Sequence, residues 1–479
     1  MASSPSSNDH LSADYRLSLP RLLGFATPGF CVGALAIALG VYLPRFYAGH
    51  IGLGLAAVGG VFGAIRLGDT ILDPFIGVAM DRTRTRFGRY RLWLLLGAPV
   101  LALGVYMLFE PPAHVPVAYL FGWLLVYYVG TSLITLSHAS WASVIASKYH
   151  ERSRVFGAIQ FVGILGACAA LVLPIVLARK DGSSGAHDVA AMGWLVVVSI
   201  PVGVLLALIL TPERLVAETS TERYTLKDYG EMILRPDMLR IIAADFCLAL
   251  GPGWMAALYL FYFHDARGFS IKDASAELLI YVFAGVVGAP SLSWLATRMG
   301  KHRTLMVAST SYSLGLIVLA FAPKGAFVIA GIMMFVLGFM AAGFPLLDRA
   351  MVADVGDAVR LEKGKSRIGL LYAMITTSQK VATALAITFS YTALSLIGYQ
   401  AKEGVANTPQ AILGMQLVYI IGPIFFVMLG GACYIGYKLD AKRHAQIREQ
   451  LAQMDATVEA PVLQSLVEEN AAAPLPSAP

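Results

Sequence analysis

About a dozen times along this chain, a stretch of roughly twenty or more mainly apolar residues recurs, the length that a helix needs to cross the hydrocarbon of a bilayer. Inside a membrane only a helix or a closed barrel satisfies every backbone group. The pattern predicts helices over about 21–47, 55–80, 91–110, 116–146, 153–178, 190–211, 239–263, 274–297, 303–322, 326–353, 367–396 and 411–438. Composition agrees with this. Of 479 residues, 57% are apolar and 14% charged, against about 25% charged in soluble domains. The chain therefore expects lipid as its main solvent.

The formal net charge of +6 does not point to nucleic acid, because the basic residues sit in short loops on one side of the helices. That is the positive-inside pattern. It places both termini in the cytoplasm and the protein in the cell (inner) membrane as a multi-pass chain. The first twenty residues are polar, so the first helix reads as an uncleaved insertion signal. Cys31, Cys168, Cys247 and Cys433 all fall within helices and read as packing residues rather than a disulfide framework.

Arg86-Phe-Gly-Arg-Tyr-Arg91 after helix two is echoed by Arg298-Met-Gly-Lys-His-Arg303 after helix eight. The two halves read as copies, a plan in which the substrate site lies near the midplane between them. The expected organisation is a cytoplasmic segment over 1–20, a six-helix bundle over 21–211, a cytoplasmic linker over 212–238, a second six-helix bundle over 239–438 and a largely disordered cytoplasmic tail over 439–479. The start of that tail, with Lys442, Arg443, Arg448 and Glu449, reads as a short surface helix.

The chemistry concentrates in Arg66-Leu-Gly-Asp69-Thr-Ile-Leu-Asp73-Pro74. Asp69 and Asp73 stand at i and i+4, on one helix face. A carboxylate at the bilayer centre costs about 2.5–3.5 kcal/mol on insertion scales, so such groups face a bundle interior and mark ion or proton paths. One acid would suffice to pair with Arg66 and lock helices together. Two repel, and either share a proton or hold a cation. Lys380, in Ser378-Gln-Lys380-Val-Ala-Thr383 of helix eleven, lies too far from a helix end to snorkel well and calls for an acid partner.

These residues, in this order, resemble the glycoside-pentoside-hexuronide:cation symporters of the major facilitator superfamily, the family of melibiose permease. The resemblance runs nearly end to end. It rests on Phe46-Tyr47, Gly52, Arg66, Asp69, Asp73-Pro74, Gly77, Asp81-Arg82-Thr83 and Arg86-Phe-Gly88-Arg89, then on Glu151-Arg152, Ala353-Asp354-Val355, Asp357, Arg367, Lys380, Gly398-Tyr399, Pro409-Gln410-Ala411 and Gly414. It implies an all-α membrane protein of twelve helices in two pseudo-symmetric six-helix bundles, working by alternating access. It also implies that Asp69 and Asp73 bind the coupling cation beside Lys380. Asp81, Arg82, Arg86, Gly88 and Arg89 would form one side of a cytoplasmic gate, with Asp354, Asp357, Lys363 and Arg367 as the partner cluster.

The departures matter as much. Where melibiose-type members complete a sodium shell with an asparagine and a threonine, this sequence has Leu72 and Ile134. Sodium needs several oxygens and a proton needs one carboxylate, so the expected coupling ion is the proton, with sodium the alternative at Asp69 and Asp73. No cofactor or resident metal is expected. The galactoside-binding acids and arginine of the family align with Gly33, Ser137 and Gln160, and only the tryptophan is kept, as Trp141. Trp141, His138, Gln160, Asp348, Ser137 and Gly33 are the candidate substrate positions. For Trp141 and His138 the competing reading is packing, for Asp348 a pair with Arg349, and Asp245 reads as structural.

The sequence contains no HExxH helix, GxSxG elbow, P-loop or CxxC pair, which argues against an enzyme. The expected function is symport of a sugar, glycoside or sugar derivative by a monomer whose partners are substrate, cation and lipid bilayer. The alternatives are an amphipathic lipid-like or aromatic solute, or a receptor or sensor on a transporter scaffold.

Overall fold

The computed structural model describes residues 17–83, 85, 87–145, 149–177, 184–211, 226–364 and 367–454. Twelve helices are long and apolar enough to cross a membrane: Leu19–Gly49, Leu55–Met80, Tyr90–Phe109, Val117–Ile145, Arg154–Leu177, Ala186–Leu210, Pro236–Ala266, Ile271–Met299, Lys301–Phe321, Phe327–Lys363, Ile368–Leu396 and Pro409–Ala432. They are numbered one to twelve in chain order. Their outward residues would be misplaced in water: Ile209 is 76% exposed and Phe321 84%. On a membrane-spanning bundle these side chains meet lipid tails and cost nothing.

The helices form two six-helix halves. Helix one packs on helix five in the first half, and helix seven packs on helix eleven in the second. Across the seam, helix two packs on helix eleven and helix five on helix eight. These are the same two contacts exchanged between copies, as a two-fold repeat requires. The loop echo has a backbone counterpart. Gly88 and Gly300 have φ of +103° and +91°, a region closed to residues with a Cβ.

Close helix crossings use small residues. A Cβ added at Gly33 would lie 1.8 Å from the carbonyl oxygen of Gly163, and one at Gly166 would lie 1.9 Å from that of Phe30. Without a hydrophobic drive between helices in lipid, such backbone contact supplies the dispersion energy of association. The second half repeats the device between helices eight and ten, where a Cβ at Gly338 would meet the carbonyl of Tyr281 at 2.0 Å.

Helix ten differs from its expected length. It runs on to Lys363 rather than stopping near 353, passing through Gly356 with no proline in the way, and ends at Gly364, which caps it at φ +68°. Asp354 and Asp357 are therefore helical. Helices one and seven each carry a π-helical turn near the end away from the termini, at Ala38–Tyr42 and Phe261–Ala266, and such turns are frequent at functional sites.

Of the linker, the structure describes a short helix at Leu226–Ile233, and residues 212–225 lie outside the described residues. Lys363–Glu231 (2.6 Å) and Arg235–Glu362 (2.6 Å) tie this segment to the end of helix ten. The surface helix expected in the tail spans 441–454. The first sixteen residues and 455–479 lie outside the described residues, so the disorder expected of the tail beyond 454 does too.

Candidate coupling site and central cavity

Asp69 and Asp73 stand on the face of helix two that meets helices four and eleven. Pro74, immediately after Asp73, lacks the N–H that would bond the carbonyl of Thr70, which loosens helix two at the acid pair. Asp69 is 3% exposed. Lys380, arriving from the other half on helix eleven, donates from Nζ to Asp69 Oδ2 at 3.0 Å and to Asp73 Oδ2. The Arg66 guanidinium lies 3.6 Å from Asp69 Oδ2 and 4.9 Å from the centre of the Tyr128 ring. Two acids and two bases thus meet at the seam between the halves.

Sequence reasoning missed Ser132. Its Oγ is 2.7 Å from Asp69 Oδ1 and 2.7 Å from Asp73 Oδ1, so one hydroxyl of helix four bridges both carboxyls. The signal was a run of hydroxyls, Thr131, Ser132 and Thr135, in an otherwise apolar helix. The hydroxyls of Thr131 and Thr135 bond back to their own helix, as polar side chains in helices commonly do, while that of Ser132 does not. Ile134 faces away, packed against Gly97 of helix three. Leu72 and Ile134 bring no oxygen to the site, as expected of their side chains, and Ser132 brings one.

A hydroxyl has a single proton to donate. With both carboxyls at 2.7 Å, that proton goes to one of them at a time or is shared between the two. Alanine at Ser132 removes this bridge. Hydrogen bonds to charged groups contribute about 1.5–3 kcal/mol each, and a donor to a carboxylate favours its ionised form, so Ser132→Ala is expected to tighten proton binding at least about tenfold. Titration of transport rate against pH or sodium would show the shift, and an unchanged half-saturation would remove Ser132 from the site.

Beside the acids, a cavity of about 340 Å³ lies between the halves, with Leu35, Phe62, Arg66, Tyr127, Thr131 and Thr383 among its lining residues. It is mostly apolar with a few convergent polar groups, the usual character of a small-molecule site. The candidate substrate positions lie elsewhere. Ser137 is buried and bonds to the carbonyl of Leu133. His138 bonds through Nε2 to the carbonyl of Phe25 at 2.7 Å, and the same Phe25 ring meets Trp141 edge-on at 5.0 Å. This cluster fastens helix four to helix one. Gly33 is spent on the crossing with helix five. Gln160 is exposed on helix five. Asp348 is buried in the second half and bonded to Tyr434, not to Arg349. None of the six lines this cavity, and the polar groups that do were not singled out for it.

Away from the termini the halves are joined by charge. Arg45 bonds to Asp265 Oδ1 at 2.8 Å, and Tyr399 donates to Asp265 Oδ2 at 2.5 Å. Tyr42 and Ser275 hydroxyls meet at 2.7 Å, and His50 lies 3.0 Å from Glu403. At the face bearing the termini, Asp354 and Asp357 pair within the second half. Asp354 bonds to Lys301 at 2.7 Å, and His444 of the tail helix lies 3.4 Å from Asp354 and 3.0 Å from Asp357. Asp354 thus meets Lys301 of the second-half copy of the basic loop. Arg82 is exposed, Arg89 lies against the Tyr90 ring, and Arg367 stands at the start of helix eleven. Arg86 and the side chain of Asp81 lie outside the described residues.

Twelve helices in two repeated halves, with an ion-paired acid couple at the seam, define a multi-pass membrane transporter of the major facilitator type. The family described as MFS/sugar transport protein matches residues 24–441, and the chain belongs to it. Among characterised and uncharacterised relatives, the chain is 25% identical over 456 residues to an uncharacterized symporter, YnaJ, of Bacillus subtilis, covering 92% of this chain and 96% of that one. It is 25% identical over 436 residues to the isoprimeverose transporter of Lactiplantibacillus pentosus, covering 87% and 88%. The solved structure of the nucleoside transporter NupG superposes with a TM-score of 0.64 at 15% identity, covering 88% of this chain and all of that one, which is a likeness of fold.

Proposed function

We propose that this protein is a proton-coupled symporter of a sugar, glycoside or sugar derivative, working by alternating access as a monomer in the cell membrane with both termini cytoplasmic. The observation that carries the reading is the Lys380 ammonium lying between Asp69 and Asp73 across the seam of the halves. A coupling cation and Lys380 compete for the same carboxylates, so binding of one releases the other. Loading the acids frees helix eleven from helix two, and occupancy of the site then biases the relation of the two halves. The joined far face fits an inward-facing member of this cycle. The proton is favoured over sodium because Leu72 and Ile134 bring no oxygen to complete a sodium shell.

Isoprimeverose, lactose and a glucuronide serve as probes in proteoliposomes with an imposed proton gradient or an imposed sodium gradient. Accumulation of a probe under the proton gradient supports the reading; accumulation under sodium alone replaces the ion. The apolar walls of the cavity favour a second reading, an amphipathic solute, and lysolipid uptake with no sugar uptake would select it. Binding without flux would point to a sensor.

A further inference from the structure

Away from Asp69 and Asp73, the second half buries two more acids. Asp348 of helix ten is 1% exposed and accepts the Tyr434 hydroxyl through Oδ1, while its Oδ2 has no partner. Asp245 of helix seven is 2% exposed, accepts Gln379 Nε2 at 2.8 Å through Oδ1, and also has an Oδ2 without a partner. Among the described residues neither forms an ion pair. The groups that act on them electrostatically or by hydrogen bond are one another, Ser378, Gln379, Arg349, Cys433, Tyr434 and Tyr437. Arg349 is itself exposed.

An ionised carboxylate needs donors on both oxygens or a counter-ion when taken out of water. Each of these acids has one donor and one bare oxygen. A proton on the bare oxygen removes the charge and leaves the observed bond from Gln379 or Tyr434 intact. Mutual repulsion disfavours ionising both. Nothing in the cavity or in the pairing of Lys380 uses either group.

We propose that Asp245 and Asp348 form a second proton-binding site, buried in the second half and separate from the acid pair of helix two. Gln379, which holds Asp245, is the neighbour of Lys380 on helix eleven. Movement of helix eleven that withdraws Lys380 from Asp73 also draws on the bond to Asp245, so the two proton sites share one moving element.

Infrared difference spectroscopy on purified full-length protein without added substrate tests this. Subtracting the spectrum of Asp348→Asn from that of the unmutated protein is expected to reveal intensity missing from the carboxylic-acid C=O region, and Asp245→Asn the same. Missing intensity in the ionised-carboxylate bands instead would overturn the proposal. Where either variant fails to fold, Tyr434→Phe removes one donor and leaves both acids in place. A neutral Asp348 then moves its C=O band to higher frequency, whereas movement confined to the carboxylate bands refutes a neutral acid. The measurement is independent of which solute is carried, so it fails or succeeds apart from the transport reading.

Discussion

In proteoliposomes carrying Asp73→Asn, a proton gradient is expected to drive no accumulation of a glycoside that the unmutated protein concentrates. Asparagine keeps the shape and the acceptor oxygen facing Ser132, and removes both the charge and the titratable proton. Lys380 is left with Asp69 alone, at 3.0 Å. At an effective dielectric of about 20, a pair at that distance attracts by on the order of 5 kcal/mol before desolvation is counted. Substrate binding alone must then loosen this contact, with no proton competing as it does at an intact pair. The internal concentration of glycoside should therefore fall to the external one. Exchange of labelled for unlabelled glycoside across the membrane should persist, because it needs the cavity but no net cation movement. Retained accumulation would remove Asp73 from coupling, and loss of exchange together with accumulation would mean a general structural defect.

How far the sequence foretold this site depends on what each residue touches. Asp69, Asp73 and Lys380 were legible because charge within an apolar helix is costly, and the cost is visible without coordinates. Twelve spans were legible for the same reason of solvent. Ser132 was not, because a serine in a membrane helix costs little and usually bonds to its own backbone; only the fold reveals that its hydroxyl meets two acids. The candidates Trp141, His138 and Ser137 carried the right chemistry. Their helix turns them onto Phe25 and its own backbone instead, a matter of rotation by a fraction of a turn. Gly33 aligns with a binding acid in the resembled family, yet here its missing side chain admits the backbone of helix five. The length of helix ten was misjudged because its last turns are amphipathic, and hydropathy marks the edge of the hydrocarbon rather than the end of a helix.

The repeat sharpens what is particular to this seam. In the register of the loop echo, which matches Gly88 to Gly300, Asp69 and Asp73 correspond to Tyr281 and Gly285 of helix eight. The helix two to eleven seam carries charge, while its copy between helices eight and five has uncharged residues in the same places. Under the proposed coupling, a cation arriving at the acids loosens one of two equivalent contacts. Asymmetric loosening of a two-fold interface produces a rocking motion of one half against the other, where symmetric loosening would only separate them.

Removing the ammonium tests that logic from the other side. In Lys380→Leu the two carboxyls and the Ser132 hydroxyl remain, now without their resident cation. Two acids bridged by one hydroxyl repel each other, and any small cation that enters relieves the repulsion. The variant is expected to bind cations more tightly than the unmutated protein and to release them slowly, cutting glycoside accumulation by about a hundredfold, equivalent to about 2.7 kcal/mol. Sodium, which must displace Lys380 in the unmutated protein, meets an empty pair of acids in the variant. A ligand at about a hundred times its dissociation constant stabilises the folded state by about 2.7 kcal/mol. High sodium should therefore raise the melting temperature of Lys380→Leu by several degrees and leave that of the unmutated protein nearly unchanged. The additional substitution Asp73→Asn should abolish the sodium effect, because a single remaining acid with one hydroxyl is a poor shell for that ion. An equal sodium response in the unmutated protein and in Lys380→Leu would show that the lysine does not occupy the cation's place. Competition would then have to be replaced by a mechanism in which Lys380 only orients Asp69 and Asp73.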